Sequence, residues 1–184
     1  TTWFTAAVVI VSETAFKSIP PTVEIASSTD AVFTISKGNF LIFFDNDCAF
    51  IHIRGGDFLI KRGIKHLLDL TNYYKKCILK LGINVKYIIY TNDIEYSKHV
   101  LNKLLSEPEL DGFNYIISNT INPLETLYQM SQCKKGCITA NSSFSWWGSY
   151  LNESAPVYMP NYWYSDSVYY PDIYYDNVNI IDIN

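Results

Sequence analysis

From residue 49 onward, the chain alternates short apolar runs with stretches in which apolar residues recur every three or four positions. The run Ala49–Ile53 is rich in branched and aromatic residues and stops at two glycines, which predicts a buried strand that ends in a turn. The stretch after Thr71 repeats at helical spacing and stops at Gly82, which predicts a helix. Its apolar face is expected to carry Tyr74, Cys77, Ile78 and Leu81.

The same alternation continues to about residue 160. Strands are predicted at 86–90, 115–118, 137–140 and 157–159, and the last of these is expected to be the final strand. Helices are predicted to begin after Asp93, after Asn122 and within the segment 141–148. Strands and helices that alternate at this spacing predict an α/β fold, a Rossmann-like parallel sheet with helices on both faces.

The first 47 residues are less informative. Strands are predicted at Ala7–Val11, Ala31–Ile35 and Phe40–Phe44, whereas Thr22–Asp30 has no clear period. No glycine-rich phosphate loop of the Rossmann or P-loop kind occurs in the sequence. Nucleotide binding is therefore not indicated by the usual fingerprints.

The composition is that of a globular protein of one domain. Of 184 residues, 48% are hydrophobic and 17% are charged, which excludes a disordered chain. The net charge is −4 and no basic stripe occurs, so nucleic acid is not expected as a partner. The apolar segment 3–11 is too short to span a bilayer.

Cysteine and histidine form no pattern that is typical of a metal site or a disulfide framework. The four cysteines are scattered, and the pair Cys133 and Cys137 has no second pair of ligands nearby. The three histidines do not cluster in the sequence. We therefore expect no metal site.

Polar residues follow three of the predicted strands, and parallel strands place their carboxyl ends at one edge of a sheet. These strand ends are the segments 54–57, 91–93 and 141–143. His52 and Arg54 face the same side because they stand two apart on a strand, and the following glycines allow close approach to the backbone. The combination indicates an anion site, such as one for phosphate. The alternative is that Arg54 pairs with a nearby carboxylate such as Asp57.

The segment Asn141-Ser142-Ser143 fits the same chemistry. Hydroxyl side chains at a strand-to-helix turn, together with the free N–H groups of a helix start, bind phosphate without a metal. The alternative is ordinary helix capping by Ser142 or Ser143. Asp93 and Glu125 are likewise typical of helix starts, and a ligand contact is the less common role for each.

Aromatic residues are dense in the last third of the chain. Trp146 and Trp147 are more often core residues, and the alternative is that one of them walls a sugar or base pocket. The tyrosines and tryptophan of the segment 162–175 fit an acceptor groove and, equally well, a half-exposed surface under a partner domain.

Five blocks of residues occur in an order that is typical of one family. They are Ile51–Asp57 (IHIRGGD), Tyr73-Tyr74, Thr91–Ile94 (TNDI), Leu127–Cys133 (LYQMSQC) and Asn141–Gly148 (NSSFSWWG). Together they closely resemble glycosyltransferase family 11, the inverting α-1,2-fucosyltransferases, over roughly residues 49–163. The last block is the most specific, and the first supports it.

The resemblance implies the GT-B arrangement, in which two Rossmann-type domains face a cleft. The chain is similar to the C-terminal, donor-binding domain of that arrangement. The implied reaction moves L-fucose from GDP-fucose to the 2-hydroxyl of a terminal β-galactose, with inversion and without an essential metal or other cofactor. The implied partners are GDP-fucose and a β-galactoside glycan acceptor.

The resemblance also implies roles for single residues. Arg54 matches the arginine that holds the donor's β-phosphate, and His52 matches the histidine beside the nucleotide. Ser142, Ser143 and Phe144 match the loop that closes round the diphosphate and base, and Asn141 belongs to the same donor-binding block.

Arg54 and Asp57 are the candidate catalytic residues. Asp57 is the carboxylate nearest to the motif, and the alternative is that it only braces the turn. Glu125 is a donor-binding candidate because the family usually carries an acidic residue at the next position, where this chain has Thr126.

Two further departures from the family pattern shape the expected organisation. Gly55 stands where a second arginine is usual, and the N-terminal loop of the Gly-Gly-Leu-Gly-Asn-Gln type is missing. The expected organisation is a poorly matched segment 1–48 packed on the same domain, a GDP-fucose-binding domain 49–163 and an aromatic tail 164–184. Two hypotheses follow: a fucosyltransferase represented by its donor domain, and a non-catalytic GDP-fucose- or sugar-binding remnant.

The expected location is the cytoplasm, with peripheral contact at the membrane surface, and the alternative is the Golgi lumen. Glycosylation sequons begin at Asn141 and Asn152. A glycan on Asn141 would block the expected site, which favours a compartment without this modification.

Overall fold

The computed structural model describes residues 22–26, 32–36, 46–60, 68–166 and 168–184. The chain divides into two compact units, Thr1–Asp45 and Asn46–Asn184. In the first unit, β1 (Thr22–Ala26) pairs antiparallel with β2 (Val32–Ser36). The sequence predicted β2 with a shift of one residue and missed β1.

The other two strands predicted for this region, at 7–11 and 40–44, lie outside the described residues. The packing of the segment 1–48 on the rest of the protein stays a prediction.

The second unit is a six-stranded parallel sheet with the strand order β5-β4-β3-β6-β7-β8. The strands are β3 (Ala49–Ile53), β4 (Lys86–Thr91), β5 (Asn114–Ile117), β6 (Gly136–Ile138), β7 (Val157–Pro160) and β8 (Val178–Ile181). The helices are α1 (Thr71–Leu81), α2 (Ile94–Leu105), α3 (Pro123–Gln132) and α4 (Ser143–Tyr150). The strand order reverses between β3 and β6, and such a switch point opens a crevice at the carboxyl ends of the strands.

Helices cover both faces of the sheet. Alternate side chains of each strand point to opposite faces, so neighbouring residues of β3 pack against different helices. Ile51 of β3 packs in a core cluster with residues of α1 and α2. On the other face, the ring of His52 lies 5.7 Å from that of Phe144 in α4. Tyr90, which is in register with His52, bonds Gln129 of α3. The predicted α/β fold, a Rossmann-like parallel sheet with helices on both faces, is confirmed.

Helix boundaries follow the capping residues in the sequence. Gly82 ends α1 with a φ of +106°, a conformation that glycine adopts at little cost. The side chain of Asp93 accepts a hydrogen bond from the Tyr96 N–H and caps α2. Asn122 caps α3, and Pro123 occupies the first helical position.

The prediction that the strand at 157–159 is the last one is wrong. β8 follows it and lies parallel to β7 at the edge of the sheet. The irregular segment between the two strands packs on α4, where the indole N–H of Trp146 donates to the Ile173 carbonyl over 2.6 Å. Part of the expected aromatic tail therefore completes the sheet. No helix among the described residues is long and apolar enough to cross a membrane.

Candidate functional site

The structure brings the three polar strand ends together at the switch point. Register pairs Ile53 of β3 with Thr91 of β4, so the chain leaves both strands at the same level of the sheet. A small recess beside β3 is lined by Arg54 and also by Asn141, which follows β6. The predicted gathering of these strand ends is confirmed by these contacts.

His52 is a buried, neutral side chain near the end of β3. It is only 2% exposed, and burial together with the nearby Arg54 charge lowers its pKa from 6.5 to about 3. Its Nδ1 atom has no hydrogen-bond partner among the described residues. A buried, unpaired ring nitrogen is costly, which suits a site that a ligand completes.

Arg54 is held by its own turn. Its Nη2 atom lies 2.6 Å from Oδ1 of Asp57, and its guanidinium carbon lies 5.2 Å from the ring centre of Phe58. The Nε atom is buried and has no partner among the described residues. The pairing of Arg54 with Asp57, one of the two alternatives from the sequence, is present in the structure.

This ion pair leaves Arg54 able to bind an anion. The side chains of Arg54 and Asp57 are 26% and 48% exposed, and pairs that water reaches contribute about 0–1 kcal/mol. A guanidinium has five N–H donors, and only one is used by the Asp57 oxygen. Arg54 therefore keeps N–H donors that the ion pair does not use.

The loop before α4 presents a helix start without a side-chain cap. Ser142 occupies the capping position in an extended conformation, and its side chain makes no hydrogen bond to the helix. The capping interpretation is therefore wrong for Ser142. The neighbouring Ser143 is exposed, and the first N–H groups of a helix have no partner within the helix itself.

Asn141 braces this loop from the inside. Its side chain is buried, and its Nδ2 atom donates to the Trp163 carbonyl over 2.9 Å. Behind it, Ser145 Oγ accepts a hydrogen bond from the Ala140 N–H over 3.2 Å. The Asn141 bond fixes the loop between β6 and α4 against the segment after β7, and the Ser145 bond ties the loop to α4.

Glu125 belongs to a polar network on the face of the sheet that α3 covers. Its Oε1 atom accepts from Gln129 Nε2 over 3.3 Å, and Gln129 Oε1 accepts from the hydroxyls of Tyr90 and Thr120. Sequence reasoning missed Gln129. The available signal was its spacing of four residues from Glu125 on one helix.

All four cysteines are buried, and they are thiols that form no disulfide among the described residues. Cys48 and Cys133 approach each other in the core, with their sulfur atoms 3.6 Å apart. Across the part of the chain that the structure describes, no three side chains able to hold a metal ion cluster together. The absence of an essential metal in the reaction stays a prediction.

The fold and the crevice define a Rossmann-like α/β protein with Arg54 and the start of α4 beside the switch point of the sheet. The profile of glycosyl transferase family 11 matches residues 32–181, and the chain belongs to this family. The chain is 29% identical over 125 residues to the O-antigen biosynthesis glycosyltransferase WbnK of Escherichia coli. It is 35% identical over 106 residues to an alpha-1,2-colitosyltransferase of Escherichia coli.

These alignments cover 62% and 55% of this chain and 38% and 35% of the two relatives. The matched part is thus well under half the length of either relative. No solved structure matches the chain significantly.

Proposed function

We propose that this chain is the donor-binding part of an inverting fucosyltransferase. It would move L-fucose from GDP-fucose to the 2-hydroxyl of a terminal β-galactose in a glycan acceptor. Family membership supports a glycosyltransferase. The observation that carries the proposal is the crevice between β3 and β6, where Arg54 and the start of α4 offer donors to a diphosphate.

The chemistry of the leaving group explains these residues. The bond between fucose C1 and the β-phosphate oxygen breaks, and its electron pair stays on GDP. The acceptor's 2-hydroxyl oxygen bonds to C1 from the opposite face and gives up its proton. Arg54 and the N–H groups of α4 stabilise the charge that develops on GDP, and a hydrogen bond to a charged group contributes about 1.5–3 kcal/mol.

Asp57 is our candidate for the group that takes the acceptor proton. It is exposed, and its carboxylate lies 2.6 Å from the Arg54 guanidinium. When the diphosphate engages Arg54, the carboxylate is released toward the acceptor. In this scheme no metal is needed, because Arg54 and the helix start supply the positive potential.

The remaining donor contacts involve His52, Phe144 and Glu125. A neutral His52 offers its unpaired Nδ1 atom as a hydrogen-bonding group beside the nucleotide. Phe144, which stands against His52, offers a ring face to the base or sugar. Glu125 and Gln129 offer polar groups for the edge of the guanine ring.

Two alternatives are favoured by particular observations. Gly55 gives no second cation, which favours a non-catalytic GDP-fucose- or sugar-binding remnant. The similarity to an alpha-1,2-colitosyltransferase favours transfer of a colitosyl group through the same type of linkage.

Calorimetric titration with GDP and GDP-fucose, followed by incubation with β-galactosides and mass spectrometry of the products, separates these functions. Binding of GDP together with a fucosylated product supports the proposed enzyme. Binding without product favours the remnant, and product only with an activated colitose favours the colitosyl alternative. A chain that binds neither nucleotide overturns the proposal.

For the location we propose the cytoplasm, with peripheral contact at the membrane. The amide nitrogens of both sequon asparagines are engaged in the fold. Asn141 Nδ2 donates to the Trp163 carbonyl, and Asn152 Nδ2 donates to the carbonyls of Met130 and Cys133. Glycans on these atoms would break those bonds, which supports a compartment without the modification.

A further inference from the structure

The segment after β4 holds the turn that follows Arg54 through hydrogen bonds that join Asn92 and Asp93 to Gly55 and Gly56, which together form the grip on this turn. Asn92 Oδ1 accepts a hydrogen bond from the Gly55 N–H over 2.9 Å, and Asn92 Nδ2 donates back to the Gly55 carbonyl. Asp93 Oδ2 accepts from the Gly56 N–H over 2.9 Å. Two consecutive peptide units of the turn are therefore bonded to two consecutive side chains of the neighbouring strand end.

The contact is also tight sterically. A Cβ atom at Gly55 would lie 2.8 Å from the Asp93 Cβ and 2.8 Å from the Tyr96 ring. At Gly56, where φ is +60°, it would lie 2.7 Å from Asn92 Nδ2. Only glycine fits between the turn and the segment after β4. This close packing holds the turn in one position relative to that segment.

This turn carries both partners of the Arg54 guanidinium. Asp57 and Phe58 lie in the 3-10 turn Gly56–Leu59, directly after the gripped peptides. Asp57 bonds the guanidinium, and Phe58 lies under it. The position of the turn thus determines where Arg54 points.

We propose that Asn92 and Asp93 are positioning residues for donor binding, which act through the Gly55–Gly56 backbone to hold Arg54 ready for the diphosphate. The inference rests on the function proposed above for Arg54. A side chain such as Arg54 that is already in its binding position loses less conformational freedom when the ligand binds. Preorganisation of this kind raises affinity. Loss of the grip should weaken GDP binding about tenfold, the effect of one hydrogen bond to a charged or polar partner.

Helix capping alone does not account for these contacts. Asp93 Oδ1 caps α2 through the Tyr96 N–H, and this role uses one of its two oxygens. The other oxygen and the whole Asn92 amide are directed to the glycine turn. The two roles can therefore be separated by substitution.

Asn92→Ala and Asp93→Asn test the proposal. Asn92 is exposed, and its replacement leaves the cap of α2 in place. Asn at position 93 retains only one acceptor oxygen for two N–H donors and loses the negative charge. Loss of charge alone would strengthen the binding of an anion, whereas loss of positioning weakens it, so the two explanations predict opposite signs.

Asp182→Asn is the matched control. A carboxylate oxygen of Asp182 also accepts a hydrogen bond from a backbone N–H, that of Asn184. Asp182 follows β8, and three strands lie between β8 and β4. The readouts are calorimetric GDP affinity and hydrogen exchange of the Gly55 and Gly56 amides by NMR. We expect about tenfold weaker GDP binding and about tenfold faster exchange of these amides in both test variants, with the control unchanged.

If both folded test variants bind GDP with wild-type affinity, the positioning role is overturned. It is also overturned if Asp93→Asn binds GDP more tightly while Asn92→Ala binds it as the wild type does. A wild-type chain that binds no GDP would instead overturn the proposed function. In that case the amide exchange still reports on the grip: unchanged exchange of Gly55 and Gly56 in both variants would show that the grip does not hold the turn.

Discussion

The hydroxyl of Tyr74 donates a hydrogen bond to the backbone carbonyl of His52 over 2.8 Å, inside the core. Pairing between β3 and β6 ends one residue earlier, at Ile51 and Ile138. Tyr74 of α1 thus satisfies a carbonyl at the point where β3 ends its pairing with β6 and continues toward Arg54. A helix on one face of the sheet thereby fixes the backbone from which the crevice residues project.

Replacement of Tyr74 by phenylalanine should lower the free energy of unfolding by about 1–3 kcal/mol, because the buried His52 carbonyl loses its donor while the ring still packs. Urea unfolding followed by circular dichroism measures this change. Tyr115→Phe, on the edge strand β5, serves as the control and should cost less. Equal losses in the two variants would contradict the role of the Tyr74 hydroxyl.

Arg54→Lys should weaken GDP binding by about tenfold or more, because one point donor replaces a planar fork while the charge is kept. Arg54→Gln removes the charge as well and should weaken binding further. Calorimetric titration at two salt concentrations separates the two contributions, since screening acts on charge. Lys98→Gln, which removes an exposed charge paired with Glu95, is the control. Near-normal affinity in Arg54→Lys would exclude a forked contact with phosphate.

The stability of the protein should depend on pH through His52. Its pKa is about 3 in the folded protein and about 6.5 when unfolded, so between these values only the unfolded chain takes up the proton. The free energy of unfolding therefore falls as pH falls below 6.5, with a slope of at most about 1.4 kcal/mol per pH unit.

Urea unfolding between pH 5 and 6.5, in the upper part of this window, measures the slope before most carboxylates titrate. His52→Asn should remove this part of the pH dependence. His99→Gln, at an exposed position of α2, should keep it. A slope that is unchanged in His52→Asn would show that another group is responsible.

Gly55→Ala should destabilise the protein by about 1–3 kcal/mol, because the added methyl group meets atoms close to the backbone of α2. Gly55→Arg, the residue that the family pattern suggests, should cost at least as much and should not strengthen GDP binding. Thermal unfolding and calorimetry measure the two effects. Gly136→Ala is the control, since the three atoms nearest to its methyl group would all belong to the side chain of Leu81. Tighter GDP binding by Gly55→Arg would show that the crevice does accept a second cation.

The sequence by itself determined the order of strands and helices in the second unit and the place of the candidate site. Hydrophobic periodicity and capping residues are local signals, so α1, α2 and α3 begin where the sequence predicts. Parallel strands share one carboxyl edge, so Arg54 and Asn141 were expected at the same crevice, and both line its recess.

Only the tertiary structure decided how the site is held. The bond of Asn92 to Gly55 joins residues 37 positions apart, and no periodic pattern reports such a pairing. The same holds for Tyr96, which fills the space where a side chain at position 55 would stand, and for the edge strand β8. Periodicity shows which face of an element is buried, whereas the partner that each polar group finds depends on which elements the fold places side by side.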